Sequence, residues 1–245
     1  MRNFPYSQYL FLLLAGTVGL HAQTVSVPPP TAYYGEAYDL KTHEKVYTEY
    51  YQDNFTSFHK TGTYTRFEDP HGKPIVERHL DFSKSDEKPD YTFKDFRNGY
   101  EEGAQVSGNQ VRMYFKESRN TALKEKSLTV PEPFVIDGGF NSFLKGNWEK
   151  LAVGEHIHFH FVAPARLDYY GFVAHEDPAR VPKGKVAMAI VVELDNVLLR
   201  LLVSPIVILY DSSSRRMIEY QGISNINDAQ GKSLKVRLIY PEMGP

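Results

Sequence analysis

Residues 62–116 read GTYTRFEDPHGKPIVERHLDFSKSDEKPDYTFKDFRNGYEEGAQVSGNQVRMYFK, and this stretch decides the fold. Gly62 to Phe67 and Pro74 to Phe82 read as strands around Asp69-Pro70-His71-Gly72. Proline at the first central position and glycine at the last fit a type I turn. Asp90 to Phe96, Gly99 to Val106 and Gln110 to Lys116 continue the run, with Arg97-Asn98-Gly99 and Ser107-Gly108-Asn109 as the turns between them. Strand after strand joined by tight turns is an antiparallel meander.

On the N-terminal side, Tyr34 to Asp39 and Lys45 to Tyr51 form a further hairpin across Leu40 to Glu44. On the C-terminal side the pattern changes after Pro131 and Pro133. Phe140, Phe143, Leu144, Trp148 and Leu151 follow Asp137-Gly138-Gly139 at the spacing of an amphipathic helix, which Gly154 ends. Alternation returns from His156 to Val162, with further strands at Leu167 to Ala174 and Lys185 to Leu194. Asp195 is placed to cap a second helix, Asn196 to Val203, stopped by Ser204-Pro205. Strands at Ile206 to Asp211, Arg216 to Gly222 and Leu234 to Tyr240 close the chain. The predicted class is mainly β, with about eleven strands and two short helices. Open twisted sheets rarely exceed ~10 strands, so a large curved antiparallel sheet is expected, an incomplete barrel covered or plugged by the helices.

Composition agrees with pleated sheet: 17 Tyr and 15 Phe stand against one Trp and five Met. There are no cysteines, which excludes disulfides, thiolate metal sites, a Cys nucleophile and a lipidated N-terminal Cys. With 28 basic and 30 acidic residues the net charge of -2 gives no field for nucleic acid. Val186 to Tyr210 is apolar, but Glu193, Asp195, Asn196, Arg200 and Pro205 interrupt it, and a charge near the centre of a membrane span costs ~3 kcal/mol. No transmembrane segment is expected in the mature chain.

The first residues read as an export leader: Arg2 supplies the charged start, Tyr9 to Leu20 a short apolar core and Ala22 a small residue before the cut. The expected organisation is a signal peptide at 1–22, a proline-rich tether at 23–31 carrying Pro28, Pro29 and Pro30, and a single β-rich domain at 32–245. That places the mature protein in the periplasm, not as a lipoprotein.

Gly35-Glu36-Ala37-Tyr38-Asp39-Leu40, Gly99-Tyr100-Glu101-Glu102-Gly103, Val135 to Phe140 running to Trp148 and Gly154, and Leu198-Leu199-Arg200-Leu201-Leu202 to Pro205 resemble an uncharacterised family of bacterial exported proteins. The resemblance covers nearly the whole mature chain and brings no activity, cofactor or site residue with it. The succession of elements is also similar to the fold of the periplasmic outer-membrane lipoprotein carrier, an incomplete antiparallel barrel covered by helices. That likeness is one of architecture, and no lipoprotein-handling residue is matched.

Several residues are candidates for chemistry. His156, His158 and His160 share one face of a strand, and two histidines at that spacing can chelate zinc. The outer pair would sit ~13 Å apart at the backbone, and the plain alternative is a solvated sheet face with Ile157, Phe159 and Phe161 turned to the core. Asp137 is placed to cap the first helix, with a general acid or base role as the alternative. Glu101 and Glu102 point to opposite faces and read as solvated charges flanking a turn. Gly138-Gly139 lacks a phosphate-loop frame, and Ser212 to Ser214 lacks a hydrolase elbow. Phe140, Phe143, Leu144 and Trp148 on one helix and Leu198, Leu199, Leu201 and Leu202 on the other can line a cavity or simply fill the interior. Arg200, among the leucines, either faces solvent or offers a charge to an anionic head group.

The functional expectation is non-catalytic binding or carrying of a hydrophobic or amphipathic small molecule in the envelope of Gram-negative bacteria. Phe140, Phe143, Trp148, Leu198, Arg200 and Leu201 are the ligand-binding candidates, and no cofactor is implied. The alternatives are a metal-dependent enzyme built on His156 and His158, and an interaction module that docks another envelope protein through a sheet edge.

Overall fold

Among the described residues the last strand pairs with the first, and this fixes the architecture. The computed structural model describes residues 33–56, 59–196, 200, 203–228 and 231–241. The leader and tether expected at 1–31 lie outside the described residues, as do Leu198, Leu199, Leu201 and Leu202, and with them most of the second predicted helix.

Strands β1 (Tyr33–Asp39), β2 (Lys45–Thr56), β3 (His59–Glu68), β4 (Pro74–Asp81), β5 (Asp90–Asp95), β6 (Tyr100–Ser107), β7 (Gln110–Lys116) and β8 (Lys124–Thr129) form the meander read from the sequence. Then come β9 (Phe134–Ile136), α1 (Gly139–Gly146), α2 (Trp148–Ala152), β10 (Ile157–Ala163), β11 (Asp168–Glu176), β12 (Ala187–Leu194), β13 (Ile206–Asp211), β14 (Met217–Asn227) and β15 (Ser233–Ile239). The described residues thus contain fifteen strands in one sheet, where about eleven were expected. Its order runs from β8 back to β1, then β15, and back again to β9. All pairs are antiparallel except β9 with β10.

Consecutive strands β8 and β9 therefore lie at the two ends of the sheet, yet only residues 130–133 separate them. Laid flat at ~4.8 Å per strand, those edges would stand ~67 Å apart. The linker spans at most ~18 Å. The sheet must curl until its edges meet, and the short Pro164–Arg166 turn after β10 packs on β6 and β7. The outcome is an incomplete barrel, whose edges approach without pairing.

Two of the fifteen, β8 and β9, answer to none of the strand segments read from the sequence. β8 is polar but for the half-buried Leu128 and otherwise exposed, so it lacks an alternating signal. Its Lys124 and Lys126 suit an edge strand, where charge discourages pairing with other chains. β9 has three residues, all buried, too few for any period. The predicted helix from Phe140 to Leu151 is also two helices. The interruption is at Asn147, whose φ of -100° and ψ of 15° leave the helical range, and whose side-chain amide joins its backbone amide in donating to the Phe143 carbonyl.

Two apolar clusters fill the interior. One gathers Ala37, Tyr47, Phe67, Val76, Phe93, Met113 and Leu238 with Phe134, Ile136 and Val162. The other packs Phe143, Leu144, Trp148 and Leu151 against Phe159, Ile190, Ile208 and Tyr210. β9 divides them, with Phe134 and Ile136 facing the first cluster and Val135 the second.

Candidate functional site

Cross-strand register sets up the site. Tyr33, Tyr51, Thr65, Arg78, Phe93 and Glu102 stand directly opposite one another on successive strands β1 to β6. Opposed residues share a face, so one rung carries these side chains to the concave side of the sheet. Period two along β2 and β4 adds Tyr47 and Glu49, and Val76 and Leu80, to that face.

Charge enters the interior here because it is paired. Arg78 Nη1 donates to Asp137 Oδ1 at 3.1 Å, and Arg78 Nη2 donates to Thr65 Oγ1 at 3.2 Å. Asp137 Oδ1 also accepts from the Gly138 amide at 2.7 Å, and Oδ2 accepts from Asn225 Nδ2 at 2.8 Å. The side chains of Arg78 and Asp137 are only 13% and 8% exposed, so removing either partner would strand a charge. Glu49 is buried nearby, accepts from Tyr51, and Tyr51 shares a hydrogen bond of 3.1 Å with Tyr240. Burial raises the Glu49 carboxyl above its ordinary value, against the opposing pull of Arg78 and the Tyr51 hydroxyl. Burial likewise raises Glu102, which accepts from Tyr91 at 2.7 Å and Tyr100 at 2.9 Å. Glu102 is therefore an interior carboxyl and not the solvated charge expected, although Glu101 does take the opposite face.

The turn after β9 aims Asp137. Asp137 itself occupies the left-handed region, with φ at 39°. Its side chain caps no helix: α1 has Gly138 at its cap position and no side-chain cap bond. Gly138 is right-handed, and the two glycines answer a different need, close approach. A Cβ on Gly138 would sit 2.6 Å from Leu80 Cδ1, and one on Gly139 would collide with the Glu87 backbone. A non-glycine residue in a sparsely populated conformation, fixed by an ion pair, commonly marks a functional position.

Beside this polar group lies a cavity of about 660 Å³. Tyr47, Glu49, Tyr51, Arg78, Asp137 and Tyr240 line it, and Phe140, Phe161, Phe172, Val192, Ile206 and Met217 supply an apolar wall. Lys60, Lys145 and Arg216 add further cations. A polar group converging on an apolar wall in a cavity of this size is the usual form of a small-molecule site.

Of the residues proposed from the sequence, Phe140 lines the cavity, stacked obliquely on Phe159 at 5.7 Å. Phe143 and Trp148 sit behind it in the second cluster, against Phe159 at 5.0 Å and Tyr210 at 5.7 Å. Arg200 donates to the Leu194 carbonyl at 2.6 Å and to Glu193 at 2.7 Å and is not among the lining residues. Leu198 and Leu201 lie outside the described residues.

The three histidines do not converge. His158 meets Asp195 at 3.2 Å, His156 stacks on His175 at 4.9 Å, and His160 stands edge-on to Tyr169 at 5.3 Å. No group of three or more His, Cys, Asp or Glu placed to hold a metal occurs among the described residues. Ser213 and Ser214 form a turn on Asp211, donating at 2.7 and 2.8 Å and holding that carboxyl well below its usual range.

Sequence reasoning missed Glu49, Arg78, Lys60 and Lys145. For two of them the signal was present: Arg78 is in phase with Val76 and Leu80, and Glu49 with Tyr47 and Tyr51. A charge keeping step with apolar neighbours two residues away on either side is a charge aimed inward.

No helix among the described residues is long and apolar enough to cross a membrane, which leaves membrane crossing by strands untouched. No protein-family model and no curated protein matches the chain. Among solved structures it is similar to a β-barrel-like protein of domain of unknown function DUF1849 from Brucella abortus, at 9% identity and a TM-score of 0.47, over 86% of this chain and 97% of that one.

Proposed function

We propose that this protein binds an amphipathic small molecule in the cavity of the incomplete barrel, without covalent chemistry, as an exported component of the bacterial cell envelope. One observation carries the reading: a cavity of about 660 Å³ with aromatic and aliphatic side chains on one wall and the Arg78, Asp137 and Glu49 group on another. Small-molecule sites span roughly 300 to 1,000 Å³ and combine apolar walls with a few polar groups that set orientation. Burying an acyl or aromatic portion at ~25 cal/mol per Å² supplies the affinity, and the polar group fixes which end goes where. Phe140 is the sequence candidate placed to touch such a ligand, with Phe143 and Trp148 supporting the wall from behind.

The test is titration with N-phenyl-1-naphthylamine, an uncharged probe that fluoresces in apolar surroundings, alongside native mass spectrometry of protein recovered from its own periplasm. Saturable probe binding at one site is expected, together with a co-purifying species. Met217→Trp, which puts a bulky indole where a thioether chain lines the cavity, should abolish both while leaving the fold intact by circular dichroism. Absence of saturable binding would refute the reading. The export proposal is checked separately: the periplasmic protein should have the mass of a chain starting near Gln23.

A further inference from the structure

We infer that the ligand carries one acidic group, a carboxylate or a phosphate monoester, and that Lys145 is its principal partner. The inference deepens the proposed function and rests on it. Its ground is the charge balance of the cavity wall. The described lining residues include four cations, Lys60, Arg78, Lys145 and Arg216, and three carboxylates, Glu49, Asp53 and Asp137. Arg78 is matched by Asp137 at 3.1 Å, and Lys60 by Asp53 at 3.9 Å. The third carboxylate, Glu49, faces Arg78 and Asp137 and is biased by burial toward its neutral form. Arg216 donates to main-chain oxygens, those of Tyr240 at 3.5 Å and Pro241 at 3.2 Å, and meets no carboxylate among the described residues. Positive charge is thus in excess in the cavity of a chain whose net charge is -2.

Lys145 is where that excess is least compensated. It lies on α1, half-buried, and lines the cavity, one turn beyond Asn141 and on the helix that presents Phe140. Its ammonium has neither hydrogen bond nor ion pair to the described residues, and the charged group acting on it is another cation, Lys60. A half-buried ammonium beside a second ammonium, and with no carboxylate of its own, lacks a counter-anion. Lys60 reinforces the geometry, since its Nζ sits 4.7 Å over the ring of Phe82, at the margin between charged and apolar lining. An acid group bridging Lys145 and Lys60 would leave its tail against Phe140, Phe161 and Phe172.

Displacement of N-phenyl-1-naphthylamine from the full mature protein tests this, with decanoate, decyl phosphate, decan-1-ol and decyltrimethylammonium as competitors below their aggregation limits. Decanoate or decyl phosphate should compete about tenfold more tightly than decan-1-ol, with the cation weakest, and whichever acid is tighter identifies the head group. Lys145→Met should remove that tenfold preference, with decanoate and decyl phosphate losing far more than decan-1-ol or the neutral probe, and Lys145→Arg should restore it. Equal competition by acid and alcohol would overturn the acidic-ligand inference while leaving the cavity reading intact, as would a Lys145→Met variant that weakens every ligand alike. Failure of the neutral probe itself to bind would sink both.

Discussion

The concave face of the first eight strands carries Glu49, Arg78 and Glu102 among its tyrosines, whereas that of β10 to β13 carries Phe159, Ile190, Ile208 and Tyr210 beneath α1 and α2. One sheet thus buries its two halves by different means. Where helices can lie on the sheet, apolar side chains interdigitate and nothing polar need enter except a tyrosine hydroxyl with a partner, as Tyr210 finds Asn141 at 3.0 Å. On the other half aromatic and aliphatic side chains share the interior with charges, of which Arg78 on β4 is met by Asp137 from the turn after β9. The cavity sits between the two solutions, which is why it has one greasy wall and one polar wall. The lesson is general for curled sheets: an interior not covered by a second layer can keep charged groups, provided each finds a hydrogen-bonding partner on its own strand, a neighbouring strand or a turn.

This contrast can be broken experimentally. The largest effect belongs to the ion pair: Arg78→Met leaves the Asp137 carboxylate buried without its cation and should cost about 3–5 kcal/mol in chemical denaturation. The double variant Arg78→Met with Asp137→Asn should recover much of that loss, and if it does not, the pair is not what holds the polar half together. On the apolar half, Leu144→Ala should cost about 2–5 kcal/mol through the cavity it opens under α1, with no recovery available from a second change.

A smaller effect sharpens the picture of Glu49. Because its carboxyl is raised, the stability it contributes is fully present below the ordinary value of 4.5 and is lost as pH rises through its higher folded value. The groups facing it are Arg78, Tyr51, Tyr47 and Asp137. Glu49→Gln keeps an acceptor for Tyr51 and does not ionise, so its stability relative to the parent protein should rise on going from pH 4 to neutrality. A constant difference across that range would mean that burial leaves the Glu49 carboxyl unshifted, and a parent protein that gained on the variant would mean that Arg78 holds it charged. Smallest of all, Lys145→Met should leave stability unchanged or slightly raised, within about 0.5 kcal/mol, since a half-buried ammonium without a counter-charge adds nothing to the fold.

The class of the fold was legible because Asp69-Pro70-His71-Gly72, Arg97-Asn98-Gly99 and Ser107-Gly108-Asn109 are turn chemistry set between alternating runs, and all three runs became hairpins. β8 was not legible, since an exposed edge strand has no face to alternate. β9 was hidden by its length, and by the fact that both its faces are buried, which erases the period. The helical stripe was read correctly as a buried face, but the break at Asn147 arises from a side chain bonding its own preceding turn, and an apolar pattern does not register that. Asp137 was read as a cap because a carboxylate before a helix usually serves the nearest free amides. Here an arginine from β4, 59 residues earlier, outbids them together with Asn225, and no local pattern contains that contact. Phe140 was found because helical spacing alone turns it inward. The interior charges were missed because a single inward charge looks like an outward one until the neighbouring strands are in register.

The seam between β1 and β15 has a consequence for assembly. Ala37 pairs with Leu238 there, so the first strand gains its second neighbour only after the last one has been made. Until then the leading hairpins have an unprotected flank, and pairing across some 200 residues is a slow event on the folding clock. A ribosome-stalled or proteolytically shortened chain lacking β15 would retain most of its hairpins yet expose β1 and β14 together, and such a species is a candidate for aggregation rather than for a smaller working barrel.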